Sequence, residues 1–178
     1  MNARIFQRNA PLSKQLLSHL EGLGIATRTV EHPALFTVTQ SRELRGELPG
    51  GHTKNLFLKD KKGRFFLVSC REDANVDLKR LHERLGASGR LSFGSAEQLM
   101  EKLGVEPGAV TLFGAVNDGK NEVTVAIDKG LLEFEIINAH PLTNTMTTAL
   151  SRNDLMRFLE RTGHAPLVIE VEPKPEAS

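Results

Sequence analysis

Tryptophan and tyrosine are absent and cysteine occurs once, so phenylalanine supplies the whole aromatic content. Stacking on bases is therefore not expected to dominate any contact with nucleic acid. A single cysteine, Cys70, excludes an internal disulfide and any multi-cysteine zinc site, which fits a reducing compartment. It ends the run Phe65-Phe66-Leu67-Val68-Ser69-Cys70 and reads as a small buried residue rather than a nucleophile. No apolar run is long enough to cross a bilayer, and the start MNARIFQRNAPLSK lacks the apolar core of a signal peptide. The expected location is cytoplasmic. The histidines His19, His32, His52, His82, His140 and His164 form no HxH, HExxH or Cys/His cluster, so neither a metal nor another cofactor is expected. The hydrolase turn GxSxG fails at Phe93-Gly94-Ser95-Ala96-Glu97, which lacks the second glycine, and the Walker A motif is missing.

What is present is ordinary for a globular chain: 178 residues, 39% hydrophobic and 25% charged, enough for one domain with its own core. Net charge is only +1, yet it is unevenly spread. Residues 52–90 carry ten Lys/Arg against five Asp/Glu, and residues 91–178 carry seven against thirteen. The basic middle, with Lys59, Lys79, Arg80 and Arg84 in it, could face phosphates or simply be solvated.

Along the chain, residues 1–12 read as an arm, 13–172 as one domain and 173–178 as a tail. Leu16, Leu17, Leu20 and Leu23 predict a helix capped by Ser13. Ile25 to Glu31 predicts a strand ended by His32-Pro33, and 39–45 a short helix. Leu56 to Leu58 and Arg64 to Cys70, separated by Lys59-Asp60-Lys61-Lys62-Gly63, predict a hairpin. Asp77 is placed to cap a helix to Leu85, Ser95 one to Leu103 and Ser151 one to Arg161. Strands are expected after the Gly108 loop, over 122–128, 132–138 and 167–171, whereas 140–148 reads as too rich in hydroxyls for a core. Strands outnumber helices and come largely in hairpins, which predicts an α+β fold with a mixed sheet.

Three stretches ask for a chemical reading. Gly50-Gly51-His52-Thr53-Lys54-Asn55 places a lysine where a glycine turn becomes an apolar strand, held by rigid scaffold and able to pair with phosphate or to snorkel. Gly104 to Gly114 packs three glycines and a proline into one loop, a sign of demanding backbone geometry. His140-Pro141 with Asn144 supplies a histidine that is either structural or reactive.

In order along the chain, GGHTKNLFL, DLKRL, LSFGS, GVEPGAVTLFG, VTVAIDKGL and HPLTNTMTT resemble the YbaK/prolyl-tRNA synthetase-associated editing domains. The likeness is strongest to the free-standing alanyl-tRNA(Pro) deacylases of the ProXp-ala or PrdX type, and covers about residues 13–172. The resemblance implies a curved, mostly antiparallel sheet, a partly open barrel surrounded by helices, and metal-independent hydrolysis of alanine from mischarged proline tRNA. It implies Lys54, the loop Gly108-Ala109-Val110 and His140 as the catalytic set, gathered round one pocket. Leu112 stands where the family's GxxxP loop has proline. The loop amides are expected to stabilise the oxyanion, and Asn55 and Asn144 to contact substrate. Leu35, Phe36 and Val38 are candidates for the pocket ceiling, and Lys59, Lys79, Arg80 and Arg84 for the tRNA contact. The competing readings are a tRNA-end or nucleic-acid-binding module without catalysis, and a deacylase for another small aminoacyl-tRNA such as Ser or Cys.

Overall fold

In the computed structural model, which describes residues 11–34, 39 and 48–173, the first leucine stripe folds as helix α1 (Leu12–Gly22). Leu16 and Leu20 are fully buried along it. Pro11, not Ser13, holds the cap position: its φ of −54° suits helix entry, and Ser13 is buried in the first turn. Leu35, Phe36 and Val38, and the short helix expected over 39–45 apart from Thr39, lie outside the described residues.

Among the described residues eight strands follow from the alternating segments: β1 (Arg28–Glu31), β2 (Gly51–Lys59), β3 (Phe65–Arg71), β4 (Ser92–Phe93), β5 (Val123–Asp128), β6 (Ile136–Ala139), β7 (Met146–Ser151) and β8 (Leu167–Ile169). They join in the order β1-β7-β6-β2-β3-β5-β8, with β4 beside β2. Four pairings are antiparallel and three parallel, so the sheet is mixed and open rather than closed. The expected hairpin is β2–β3, in register from Thr53↔Arg71 to Lys59↔Phe65. Asp60 ties its tip: the carboxylate accepts the amides of Lys62, Arg64 and Ser88, and Arg64 Nε at 2.9 Å.

Helices α2 (Leu81–Leu85), α3 (Ala96–Leu103) and α4 (Arg152–Arg161) cover the sheet. Ser95 and Gln98 form a reciprocal capping box on α3, and Ser151 Oγ accepts the Asp154 amide on α4. The helix expected from Asp77 is shorter. Residues 78–80 form a turn in which the Arg80 amide bonds the Asp77 carbonyl, and α2 begins only at Leu81. The segment expected to be a strand after Gly108 is a 3-10 turn, Leu112–Asn117, because the Thr111 hydroxyl accepts the Phe113 amide and coils the chain.

The hydroxyl-rich stretch after His140 is likewise no simple loop, since it becomes β7, with Thr147 and Thr148 buried. Their hydroxyls are satisfied across the sheet by His32 Nε2 and Thr29 Oγ1, both at 2.8 Å.

Alternation along the strands divides the core into two layers. Phe57, Leu67, Val125, Ile127, Ile137 and Leu150 lie on one face, in one cluster with residues of α1, α3, α4 and the 3-10 turn. Leu58, Phe66, Val68, Cys70 and Ala126 lie on the other, with Ala74 and Leu81. Each fully buried leucine or phenylalanine contributes about 1.5–3 kcal/mol. In the first layer Phe113 and Phe158 also meet edge to face at 5.4 Å. Gly50 and Gly51 let β2 approach β6. At Gly50 φ is +106°, and a Cβ there would stand 2.5 Å from the Ile136 carbonyl oxygen.

Candidate active site

Lys54 lies inside β2 rather than at its mouth, opposite Cys70 in β3. Its side chain therefore stands on the second face, where Nζ donates to the Ala74 carbonyl at 2.6 Å. Burial pushes the neighbouring Cys70 thiol up to about 12, so it holds no thiolate near neutrality.

β6 brings His140 to the same place. It runs parallel to β2 through Gly51↔Ile137 and His52↔Asn138, and continuing that register by two residues sets His140 level with Lys54. Ile137 and Ala139 belong to the first layer, which leaves Asn138 and His140 on the second face with Lys54. His140 Nδ1 donates to the Met146 carbonyl at 2.9 Å, fixing the tautomer whose Nε2 is an unprotonated acceptor. Burial lowers its pKa below 6.5 and the nearby His32 lowers it further, against the raising effect of the Met146 carbonyl. His140 is thus a neutral base at neutral pH.

His32 and Thr147 are part of this constellation and were not expected there. The rings of His32 and His140 stand 6.2 Å apart, and His32 Nε2 meets Thr147 Oγ1. The sequence does hold a signal for it, since His32-Pro33 repeats the dipeptide His140-Pro141. Residues 48–49 lie across the same face, where the Leu48 carbonyl bonds His52 Nε2 and the Pro49 carbonyl accepts Asn138 Nδ2.

Asn55 points the other way, into the first layer beside Ser69, and its Oδ1 is buried with no hydrogen-bond donor. Its backbone faces the interval between β6 and β4. The His52 and Asp60 main chains bond toward β3, whereas the Phe57 carbonyl accepts the Gly94 amide on the β4 side, so odd-numbered residues of β2 face that interval.

The Gly108 loop belongs to the first layer through Ala109 and Leu112. Gly108 is exposed with φ +92°, and the Ala109 amide closes a turn on the Glu106 carbonyl at 3.0 Å, which leaves the Gly108 and Val110 amides as the loop's candidate donors. The strand register therefore groups Lys54 with His140, while the loop joins Asn55 on the other face. Asn144 lies in the turn between β6 and β7. Among the basic residues, Lys79 and Arg80 are exposed and Lys59 is half-buried. Arg80 pairs with Glu83, and Arg84 is turned back onto the carbonyls of Glu170 and Glu172. Among the described residues no group of three or more His, Cys, Asp or Glu could hold a metal ion, and no helix is long and apolar enough to cross a membrane.

The aminoacyl-tRNA editing domain model matches residues 32–158, a span that contains Lys54, the Gly108 loop and His140. The chain belongs to the aminoacyl-tRNA editing domain family. As a member it is an aminoacyl-tRNA deacylase. The editing domain is 40% identical over 163 residues to the prolyl-tRNA synthetase associated domain-containing protein 1 of Danio rerio, covering 90% of this chain and 88% of that protein. It is 34% identical over 157 residues to the prolyl-tRNA editing protein ProX of Acetoanaerobium sticklandii, covering 88% and 95%. A solved chain described as a candidate trans-editing enzyme for prolyl tRNA synthetase shares the fold, with a TM-score of 0.71 at 22% identity over 93% of this chain and 99% of that one.

Proposed function

We propose that this editing domain acts in trans, hydrolysing the ester that joins misactivated alanine to the 3′ end of proline tRNA. The observation that carries the reading is the placement of Lys54 and His140 level with each other on one sheet face, His140 with a free Nε2. In this mechanism Nε2 takes a proton as water attacks the ester carbonyl carbon, forming a tetrahedral oxyanion. The oxyanion role that the resemblance gives the Gly108 and Val110 amides, about 3–4 kcal/mol for a well-aimed donor, requires the ester to lie in the interval between β6 and β4, because the loop packs on the face opposite His140. Collapse breaks the bond to the ribose oxygen, which takes the proton back from His140, and free alanine and tRNA leave. The Lys54 ammonium holds a phosphate or ribose oxygen of the terminal nucleotide. The unpartnered Asn55 Oδ1 is an acceptor for the substrate's ammonium or ribose hydroxyl. Alanine is selected by size: a proline pocket excludes it by only about 1–3 kcal/mol, whereas a smaller second pocket rejects proline by clash.

A deacylation panel against Ala-, Pro-, Ser- and Cys-tRNA, in EDTA, tests this assignment. Rapid cleavage of Ala-tRNA(Pro) with Pro-tRNA(Pro) left intact is the expected result. Preferential cleavage of the Ser or Cys ester would replace alanine as the substrate, and no cleavage anywhere would overturn the activity.

The pH profile should carry the His140 signature. Because its pKa is lowered, the acid limb of kcat/KM, where protonation removes the base, should have its midpoint below pH 6.5. Replacing His32 by Gln removes one lowering influence, so the acid limb should move upward in pH. A limb unchanged in His140→Ala would show that another group titrates.

A further inference from the structure

Phe93 is the most exposed large hydrophobic residue among those described, at 62%, although it sits in a strand. Its Cα partner across β2–β4 is Leu58, so its ring projects on the face that carries Lys54, four residues or about 13 Å further along β2. Between Lys54 and Phe93 on that face lie Leu56 and Leu58, and Leu58 is buried with Leu81 and Leu85 of α2, so Phe93 stands exposed at the far end of the covered layer.

The rim of this aromatic is basic. The Lys61 amide bonds the Ser88 carbonyl and the Lys61 side chain lies against Gly89, whereas Lys59, paired with Ser92, is on the other face of the sheet. Arg90 is exposed three residues before Phe93. The acid within this rim, Asp60, is turned inward and occupied by three amides and Arg64; beyond it Glu97 is exposed in the first turn of α3. An isolated aromatic face with cations around it and Lys54 on the neighbouring strand β2 suits a single-stranded polyanion bearing π faces.

We infer that Phe93 is a stacking platform for a nucleobase in the single-stranded 3′ end of the aminoacyl-tRNA, upstream of the esterified nucleotide, with Lys61 and Arg90 against the adjoining phosphates. This rests on the deacylase reading above. The contact is independent of base identity, since every base offers a face, and it sets the direction in which the 3′ end enters, from the β4 side of β2 toward His140.

The test compares two substrates, alanyl-tRNA(Pro) and 3′-O-alanyl-adenosine, which lacks the upstream nucleotides. Phe93→Leu should raise KM for alanyl-tRNA(Pro) about five-fold to a hundred-fold with kcat little changed, leave 3′-O-alanyl-adenosine hydrolysis as it was, and be rescued by Phe93→Trp. An unchanged KM, or equal losses on both substrates, would overturn the platform while leaving the deacylase reading intact. If the wild-type protein cleaves neither substrate, the deacylase reading fails instead. Anisotropy with a short labelled single-stranded RNA then decides Phe93 alone: weaker binding by Phe93→Leu supports stacking, and equal binding refutes it.

Discussion

Lys54→Ala is expected to lower kcat/KM for alanyl-tRNA(Pro) by a factor of about thirty to several thousand, the equivalent of about 2–5 kcal/mol for truncating one partner of a desolvated charged pair. The loss should appear with substrate saturating as well as limiting if the ammonium orients the terminal nucleotide against His140. Lys54→Arg should restore little, because a broad planar guanidinium cannot reproduce a compact point charge seated beside Ala74. Nζ also donates to the Ala74 carbonyl, so the alanine variant should lose about 1.5–3 kcal/mol of stability, and a thermal melt must accompany the kinetics. A folded Lys54→Ala enzyme with wild-type turnover would remove the lysine from the mechanism.

The largest effect on stability should come from Asp118→Ala. Asp118 is buried at the turn between the 3-10 segment and β5. Oδ2 accepts His164 Nε2 and the Val123 amide, each at 2.8 Å, and Oδ1 accepts the Glu122 amide at 3.1 Å. His164 in turn bonds Thr162 just after α4, so the carboxylate ties the end of that helix to the start of β5. Removing it leaves the Val123 amide and His164 Nε2 buried without an acceptor and unties the Glu122 amide, a loss of about 3–5 kcal/mol. For a chain of this length that lowers Tm by about 6–20 °C. Burial alone would raise the Asp118 pKa, but His164 and the two amides outweigh it and hold it below the usual 3.8. A depressed carboxylate contributes stability that is present above its unfolded pKa and disappears as pH falls below it. Wild-type stability should therefore drop on acidification below about pH 4 more steeply than that of Asp118→Asn. Parallel acid-unfolding curves for the two proteins would refute this account.

Which parts of this molecule were legible in its sequence depends on where each residue's partners lie. The capping box on α3 and the Ser151 cap on α4 are local, three residues from donor to acceptor, and both form. The β2–β3 hairpin is also local, joined by a glycine-bearing tip. β7 was illegible because its threonines look solvated until Thr29 and His32, more than a hundred residues earlier, are set beside them. For the same reason Lys54 reads as the mouth of a strand: the sequence shows the apolar run beginning at Leu56, whereas the pairing with β6 begins at Gly51. His140 was picked out through resemblance. Its tautomer and lowered pKa come from Met146 and His32, which no local pattern connects to it.

The interval that Asn55 faces has a further consequence. β2 meets β6 at Gly51 and His52 and β4 at Leu58 and Lys59, so five residues, Thr53 to Phe57, lie between them, roughly 17 Å. A strand of more than five residues cannot lie down in a slot closed at both ends. An intruding polypeptide edge, the usual route from exposed strands to aggregation, is thereby refused.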